Sequence, residues 1–186
     1  MELKKENIKL VLNRFKPNYI RNDFLDLINK MSLGDVLFIV ALPVVMIFLM
    51  LLPPYLRESL QLHLKDLNLW QIFTASFIHQ DWQHLIVNLN SYLLFIIPSV
   101  LFVAYTKQKW LYFKTVITIF LTLPLIITLI EFLFTSKLFL DLLTSSGSSG
   151  IISALLGLFP IVWINYLSER SNKKLYNTYF LFILIF

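Results

Sequence analysis

The sequence predicts an all-α fold, a polytopic bundle of transmembrane helices of which four and a half are present in the 186 residues. Hydrophobic residues make up 58% of the chain, and the mean hydropathy is +0.72. A soluble domain of this length cannot bury that much apolar surface in one core. Apolar segments of about 20 residues, the length needed to cross a bilayer, recur along the chain. A soluble globular domain is therefore excluded.

Four segments have the length and composition of a membrane span. Three of them, residues 36–56, 82–106 and 142–168, contain no Asp, Glu, Lys or Arg. The remaining one, residues 110–134, carries Lys114 and Glu131 only near its ends, where long side chains can reach the membrane interface. A further apolar run, residues 175–186, covers about half a crossing at about 1.5 Å per residue. We expect that the given sequence stops within this helix.

The basic residues orient the chain in the membrane. Lys and Arg number 7 before the first span, then 2, 3, 1 and 3 in the regions that follow each span in turn. Cytoplasmic connections are the ones enriched in Lys and Arg, so this alternation predicts a cytoplasmic N-terminus. The net charge of +5 is explained by orientation in the lipid bilayer, and nucleic acid is not an expected partner. We expect a multi-pass protein of a prokaryotic cell membrane.

The chain divides into a polar leader, residues 1–35, and a membrane domain, residues 36–186. Apolar residues alternate with lysines in the leader, which predicts an amphipathic surface helix, although a solvated leader that fixes topology is the alternative. The connection between the first two spans, residues 53–79, opens with Pro53-Pro54 and is rich in Leu, Tyr and Trp. This composition predicts a structured element in the outer interface. There is no Cys, so disulfides and thiolate chemistry are excluded.

A first polar cluster lies at the start of the second span. His84 and Asn88 are four residues apart and share one helix face, whereas His79 would point elsewhere even if the helix extended back to it. Polar groups in membrane helices are costly and often functional, but interhelical hydrogen bonding is an equal alternative. The HxxxxH spacing lacks the HExxH pair of zinc sites, so no metal is expected.

A second polar cluster, residues 144–150, lies at the start of the fourth span and reads Thr-Ser-Ser-Gly-Ser-Ser-Gly. Ser149, Ser153 and Gly157 follow at successive i, i+4 positions, with Gly150 and Ala154 beside them. Such a strip of small residues lets another helix pack closely, and helix packing is the simplest interpretation of it. A lone GxSG pattern in an apolar segment is a weak signal for catalysis.

Topology brings the two clusters to the same membrane face. With the N-terminus inside, the second and fourth spans both run from outside to inside. Asn88 is expected about 9 Å into its span and Ser149 about 7 to 8 Å into the other. A serine hydroxyl, an imidazole and a carboxamide then meet in the outer leaflet. Acyl transfer needs this combination of a nucleophile with donors for the developing oxyanion.

These residues resemble the motifs of the rhomboid intramembrane serine proteases. Residues 70–79, Trp-Gln-Ile-Phe-Thr-Ala-Ser-Phe-Ile-His, with His84 and Asn88, resemble the family's second-helix motif, and residues 147–157 resemble its GxSG helix. The resemblance covers about residues 36–186 and implies about six helices when complete. It implies that residues 53–79 are the membrane-embedded first loop. The Trp70-Gln71 pair departs from the Trp-Arg often found there.

The resemblance also implies roles for individual residues. Ser149 would be the nucleophile, and His84 and Asn88 would form the oxyanion hole together with the Ser149 backbone N–H. His79 would be structural, and Gly147 and Gly150 would serve helix packing or substrate contact.

The family's general base, a histidine on the sixth helix, has no counterpart here. The three histidines are His63, His79 and His84, and none follows Ser149. We therefore expect that the sequence is a fragment of an active protease and that the 186-residue chain is inactive by itself. Descent from an inactive rhomboid-like protein is the alternative.

The expected function is an intramembrane serine endopeptidase that cleaves transmembrane protein substrates near the outer face, without metal or organic cofactor. The first alternative is a non-catalytic rhomboid-like protein that binds membrane clients in the same cleft. A small channel or transporter subunit is disfavoured, because the polar groups cluster at one face and not at mid-bilayer.

Overall fold

A computed structural model of the chain describes residues 24–63, 68–138, 144–145 and 147–171. The predicted amphipathic helix of the leader therefore lies largely outside the described residues, and the apolar run 175–186 lies wholly outside them. A helical stretch over residues 24–29 precedes the first long helix. The long helices are α1 (Leu33–Met50), α4 (Trp82–Tyr105), α5 (Lys109–Leu138) and α6 (Ser149–Ser171). Between them lie the short helices α2 (Pro54–Leu60) and α3 (Gln71–Thr74) and the strands β1 (Leu62–His63) and β2 (Thr144–Ser145).

The predicted all-α membrane bundle is confirmed. Four helices in the described part of the chain are long and apolar enough to cross a membrane: α1, α4, α6 and the Lys109–Glu131 part of α5. Among the residues that the structure describes, the β structure is one antiparallel pair of two-residue strands, β1 with β2. Each long helix also contains one proline, at Pro43, Pro98, Pro124 and Pro160. Membrane helices tolerate such prolines because neighbouring groups satisfy the backbone atoms that are released.

Two predicted span boundaries are wrong. The first span was expected to reach residue 56, but α1 ends at Met50 and α2 starts at Pro54, since proline suits the first turn of a new helix. The fourth span was expected to begin at residue 142, but residues 144–145 form β2 and α6 begins at Ser149. The backbone at Gly147 has a φ of 117°, which no right-handed helix contains.

The core of the bundle is built around α4, which packs against α6, α1 and α5. Its inward residues Tyr92, Ile96 and Val100 are almost fully buried and meet Leu155 and Val162 of α6 in one cluster. The contact between α4 and α6 continues toward the end of both helices, where the rings of Phe102 and Tyr166 stack with centroids 4.7 Å apart. The packing of α4 on α6 brings the beginnings of these two helices together.

The helices α4 and α6 run in the same direction, as the topology predicted. At one end of the bundle, the backbone N–H of Lys107, just after α4, donates to the Glu169 carboxylate near the end of α6, at 3.3 Å. Lys109, at the start of α5, forms an ion pair of 2.6 Å with Asp35 in the first turn of α1. Both polar clusters lie at the opposite end, where α4 and α6 begin.

The connection between α1 and α4 is structured, as its composition predicted. Gln71 is buried, and its side-chain oxygen accepts from the backbone N–H groups of His63 and Asn68 at 3.4 and 3.3 Å. Its side-chain nitrogen donates to the carbonyl oxygen of Ser59 at 3.2 Å. Gln71, where the rhomboid pattern often has Arg, therefore anchors the connection with three hydrogen bonds to the backbone.

Candidate active site

The second-span cluster starts at a capped helix end. The Asp81 carboxylate accepts from the backbone N–H of His84 at 2.7 Å and so caps α4. This cap places His84 in the first turn and Asn88 one turn later, on the same face. Asn88 is buried and His84 is half-buried. Both side chains face the short segment that leads into α6.

That segment lies close to His84 and Asn88 at Gly147. A Cβ added to Gly147 would lie 2.7 Å from Cε1 and 3.1 Å from Nε2 of His84, and 3.8 Å from Nδ2 of Asn88. The Gly147 backbone N–H donates to the carbonyl oxygen of Ala75 at 2.9 Å, which fixes the segment against the external connection. The structure therefore brings His84, Asn88 and the GxSG segment together, with Gly147 as the point of contact.

Ser149, the expected nucleophile, is the first residue of α6 and is exposed. The predicted depth of Ser149, counted along a helix starting at Thr144, does not hold because that helix starts five residues later. The first N–H groups of a helix have no intrahelical acceptor and carry the positive end of the helix dipole. The backbone N–H of Ser149 belongs to this group and suits an anion.

Ser148 was not identified from the sequence. It is fully buried, and its Oγ lies 3.4 Å from Nε2 of His79. The neighbouring Ser149 is exposed, so the two serines of the Gly-Ser-Ser-Gly segment have opposite surroundings. The difference follows from the helix start, because Ser148 lies just before α6 and Ser149 is its first residue.

His79 joins the cluster, contrary to the expectation that it would point elsewhere. Residues 78–81 are not helical, so the chain folds back and the helical phase does not apply. The Nε2 atom of His79 lies 2.9 Å from Nδ2 of Asn88, and its Nδ1 lies 3.1 Å from the carbonyl oxygen of Phe77. Its ring meets that of His84 edge-on, with centroids 5.0 Å apart.

Burial, and after it the neighbouring His84, lower the pKa of His79 from 6.5 to about 4. His79 is therefore neutral at physiological pH. A group with so low a pKa is a weak proton acceptor for a serine hydroxyl near pH 7.

The small-residue strip of α6 is close-packed at one position. A Cβ at Gly150 would collide with Cδ1 of Ile127, so α5 approaches α6 closely there. Ser153 is exposed, and a Cβ at Gly157 would meet nothing within 4 Å among the described residues. The predicted close approach of a helix therefore occurs at Gly150, while the face with Ser153 and Gly157 carries no helix in the described part of the chain.

Within the described residues, no three His, Asp or Glu side chains gather into a group that could hold a metal ion. The polar atoms of His79 and Asn88 are instead hydrogen-bonded to each other.

The family of the chain follows from comparison with known proteins. A scan against sequence models of protein families matches the Rhomboid domain over residues 66–186. Searches of curated proteins and of solved structures returned no significant match. The matched region contains both polar clusters and the whole of α4 and α6. Because it covers more than half of the 186 residues, the chain belongs to the rhomboid family.

Proposed function

We propose that this protein is an intramembrane serine endopeptidase that cleaves transmembrane protein substrates at the end of the bundle where α4 and α6 begin. The observation that carries the proposal is the close approach of Gly147 to His84 and Asn88: a Cβ added to Gly147 would lie 2.7 Å from the His84 ring and 3.8 Å from Nδ2 of Asn88. This proximity supports the proposal, because the segment with Gly147 leads to Ser149, an exposed serine at a helix N-terminus. With the N-terminus in the cytoplasm, as the basic residues predict, this end faces the outside.

In the proposed reaction, the Ser149 oxygen attacks the scissile carbonyl carbon and its proton passes to a general base. The carbonyl oxygen becomes an oxyanion, which accepts hydrogen bonds from the His84 ring, the Asn88 carboxamide and the Ser149 backbone N–H. The C–N bond then breaks and the amine leaves with a proton. Water hydrolyses the acyl-enzyme by the same steps and restores the serine.

Neither histidine of the site suits the role of general base for Ser149. His84 is assigned to the oxyanion, while His79 contacts Ser148 and has a pKa of about 4. The family resemblance implies a base on a further helix that packs against α6. The exposed face with Ser153 and Gly157 supports that assignment, because small residues allow such close packing.

The test is cleavage of a transmembrane substrate by the full-length protein in liposomes. We expect Ser149→Ala to abolish cleavage, because the nucleophile is removed. The matched control is Ser91→Ala, which removes a serine of α4 whose hydroxyl donates to the Val87 carbonyl oxygen, and it should cleave at close to the wild-type rate.

Two results would contradict the proposal. Normal cleavage by Ser149→Ala would move the nucleophile elsewhere, to Ser148 if Ser148→Ala abolishes cleavage instead. Stable substrate binding without cleavage, equal in the wild type and in Ser149→Ala, would establish a client-binding protein.

A further inference from the structure

We propose that His79 is a positioning residue for the oxyanion hole: it holds the Asn88 carboxamide with its N–H donors turned toward the GxSG segment. Ser148 contributes by tying the same imidazole nitrogen to the start of α6. This inference rests on the proposed function, because the orientation of Asn88 matters for catalysis only if Asn88 stabilises an oxyanion.

The hydrogen bonds of His79 determine its tautomer. A carbonyl oxygen can only accept, so the Phe77 carbonyl 3.1 Å from Nδ1 requires the proton on Nδ1. In the neutral ring the other nitrogen, Nε2, is then an acceptor. Burial keeps the ring neutral at physiological pH, as its lowered pKa of about 4 indicates. His79 therefore presents an acceptor to Asn88.

An acceptor at this position decides which way the carboxamide of Asn88 faces. The amide nitrogen of Asn88 lies 2.9 Å from Nε2 of His79 and can donate to it, whereas the amide oxygen would face another acceptor. An amide nitrogen carries two hydrogens. The same nitrogen lies 3.8 Å from the Cβ position of Gly147, so its second hydrogen is available on the side of the GxSG segment. A flipped carboxamide would present an oxygen to a developing anion and oppose the reaction.

Ser148 connects this arrangement to α6. Its buried hydroxyl lies 3.4 Å from the same Nε2, at the residue before α6 begins. This contact is longer than the one from Asn88, so it is the weaker of the two. It joins the loop of His79 to the helix that carries Ser149, and it exists because the residue before the expected nucleophile is a serine.

A purely structural His79 and a positioning His79 predict different kinetics. We expect His79→Leu, which removes the acceptor, to lower kcat of the full-length protein about 10- to 100-fold per folded molecule, with KM little changed. Asn88→Ala should lower kcat about 10²- to 10³-fold, as for other oxyanion donors. The double variant should be no slower than Asn88→Ala alone, because His79 acts through Asn88. His79→Gln, whose amide oxygen can replace Nε2 as acceptor, should recover most of the loss.

Two results would overturn the positioning role while leaving the proposed function intact. One is that the losses in kcat of the two single variants multiply in the double variant. The other is that His79→Leu lowers the amount of folded protein and leaves kcat per folded molecule unchanged. Unchanged cleavage by Ser149→Ala would instead contradict the proposed role of Ser149 as the nucleophile.

A second measurement needs neither activity nor a variant. The imidazole nitrogen NMR spectrum of the 186-residue chain in detergent reports which nitrogen of His79 carries the proton. Protonation at Nδ1 is expected, and protonation at Nε2 would overturn the inference, because that nitrogen could not accept from Asn88.

Discussion

At Gly147 the backbone passes against the His84 ring with a φ of 117°. This conformation is open to glycine and costly for residues with a Cβ. The added Cβ would also lie 2.7 Å from Cε1 of His84, closer than van der Waals contact allows. The close approach of the GxSG segment to His84 therefore depends on the absence of a side chain at this residue.

We expect Gly147→Ala to destabilise the chain by about 1–3 kcal/mol through backbone strain, with a further cost from displacing His84. The matched control is Gly157→Ala, which has open space at its Cβ and lies inside a helix. The control should leave stability unchanged or raise it by up to about 1 kcal/mol, as expected when alanine replaces a helical glycine. Thermal unfolding in detergent checks both variants, and equal stability of the two would contradict the observed Gly147 geometry.

On the scale of elements, an ion pair between the buried Asp35 and the partly exposed Lys109 links two helices of the described residues at the end opposite the polar clusters. The Asp35 carboxylate accepts hydrogen bonds from the backbone N–H of Ser32, the residue before α1, and from the ammonium group of Lys109 in α5. The Asp35 side chain is almost completely buried. The pair joins the first turn of α1 to the first turn of α5. Its position, at the end of the bundle opposite both polar clusters, makes it a structural link.

We expect Lys109→Met to destabilise the chain by about 1–3 kcal/mol, because it removes the charged partner of the buried Asp35 carboxylate, while the Ser32 hydrogen bonds remain. The double variant Asp35→Asn with Lys109→Met should recover much of this loss, since no charge is left uncompensated. The control is Lys107→Met, at an exposed position two residues away. Unfolding in detergent checks these values, and a Lys109→Met variant as stable as the Lys107→Met control would show that the pair contributes nothing.

On the scale of the whole molecule, the helix bundle could be predicted from the sequence, and so could the end of the bundle at which the two polar clusters meet. Apolar segment lengths predicted four spans because the bilayer fixes the helix length. Because one span separates them, the second and fourth spans were expected to run in the same direction, and the hydrogen bonds of the Lys107 backbone N–H to Glu169 confirm this for α4 and α6.

The local geometry of the site could not be predicted in the same way. Hydropathy does not show where a helix starts, so α6 was expected before Gly147 and the contact of Ser148 was missed. Helical phase predicted that His79 would point away from the cluster. Residues 78–81 are not helical, however, and the His79 ring lies within hydrogen-bond distance of Asn88. These details depend on one glycine conformation and on one loop, and neither has a periodic signature.

The most direct measurement is an experimental structure of the full-length protein after reaction with a fluorophosphonate. The phosphorus atom bonded to Ser149 mimics the tetrahedral carbon, and one of its oxygens mimics the oxyanion. We expect that oxygen within about 3 Å of both the His84 ring nitrogen and Nδ2 of Asn88, the distance at which oxyanion donors act. A Ser149 Oγ more than about 10 Å from both side chains, or a probe attached to another residue, would contradict a shared catalytic site, because hydrogen-bonded catalysis works at about 3 Å.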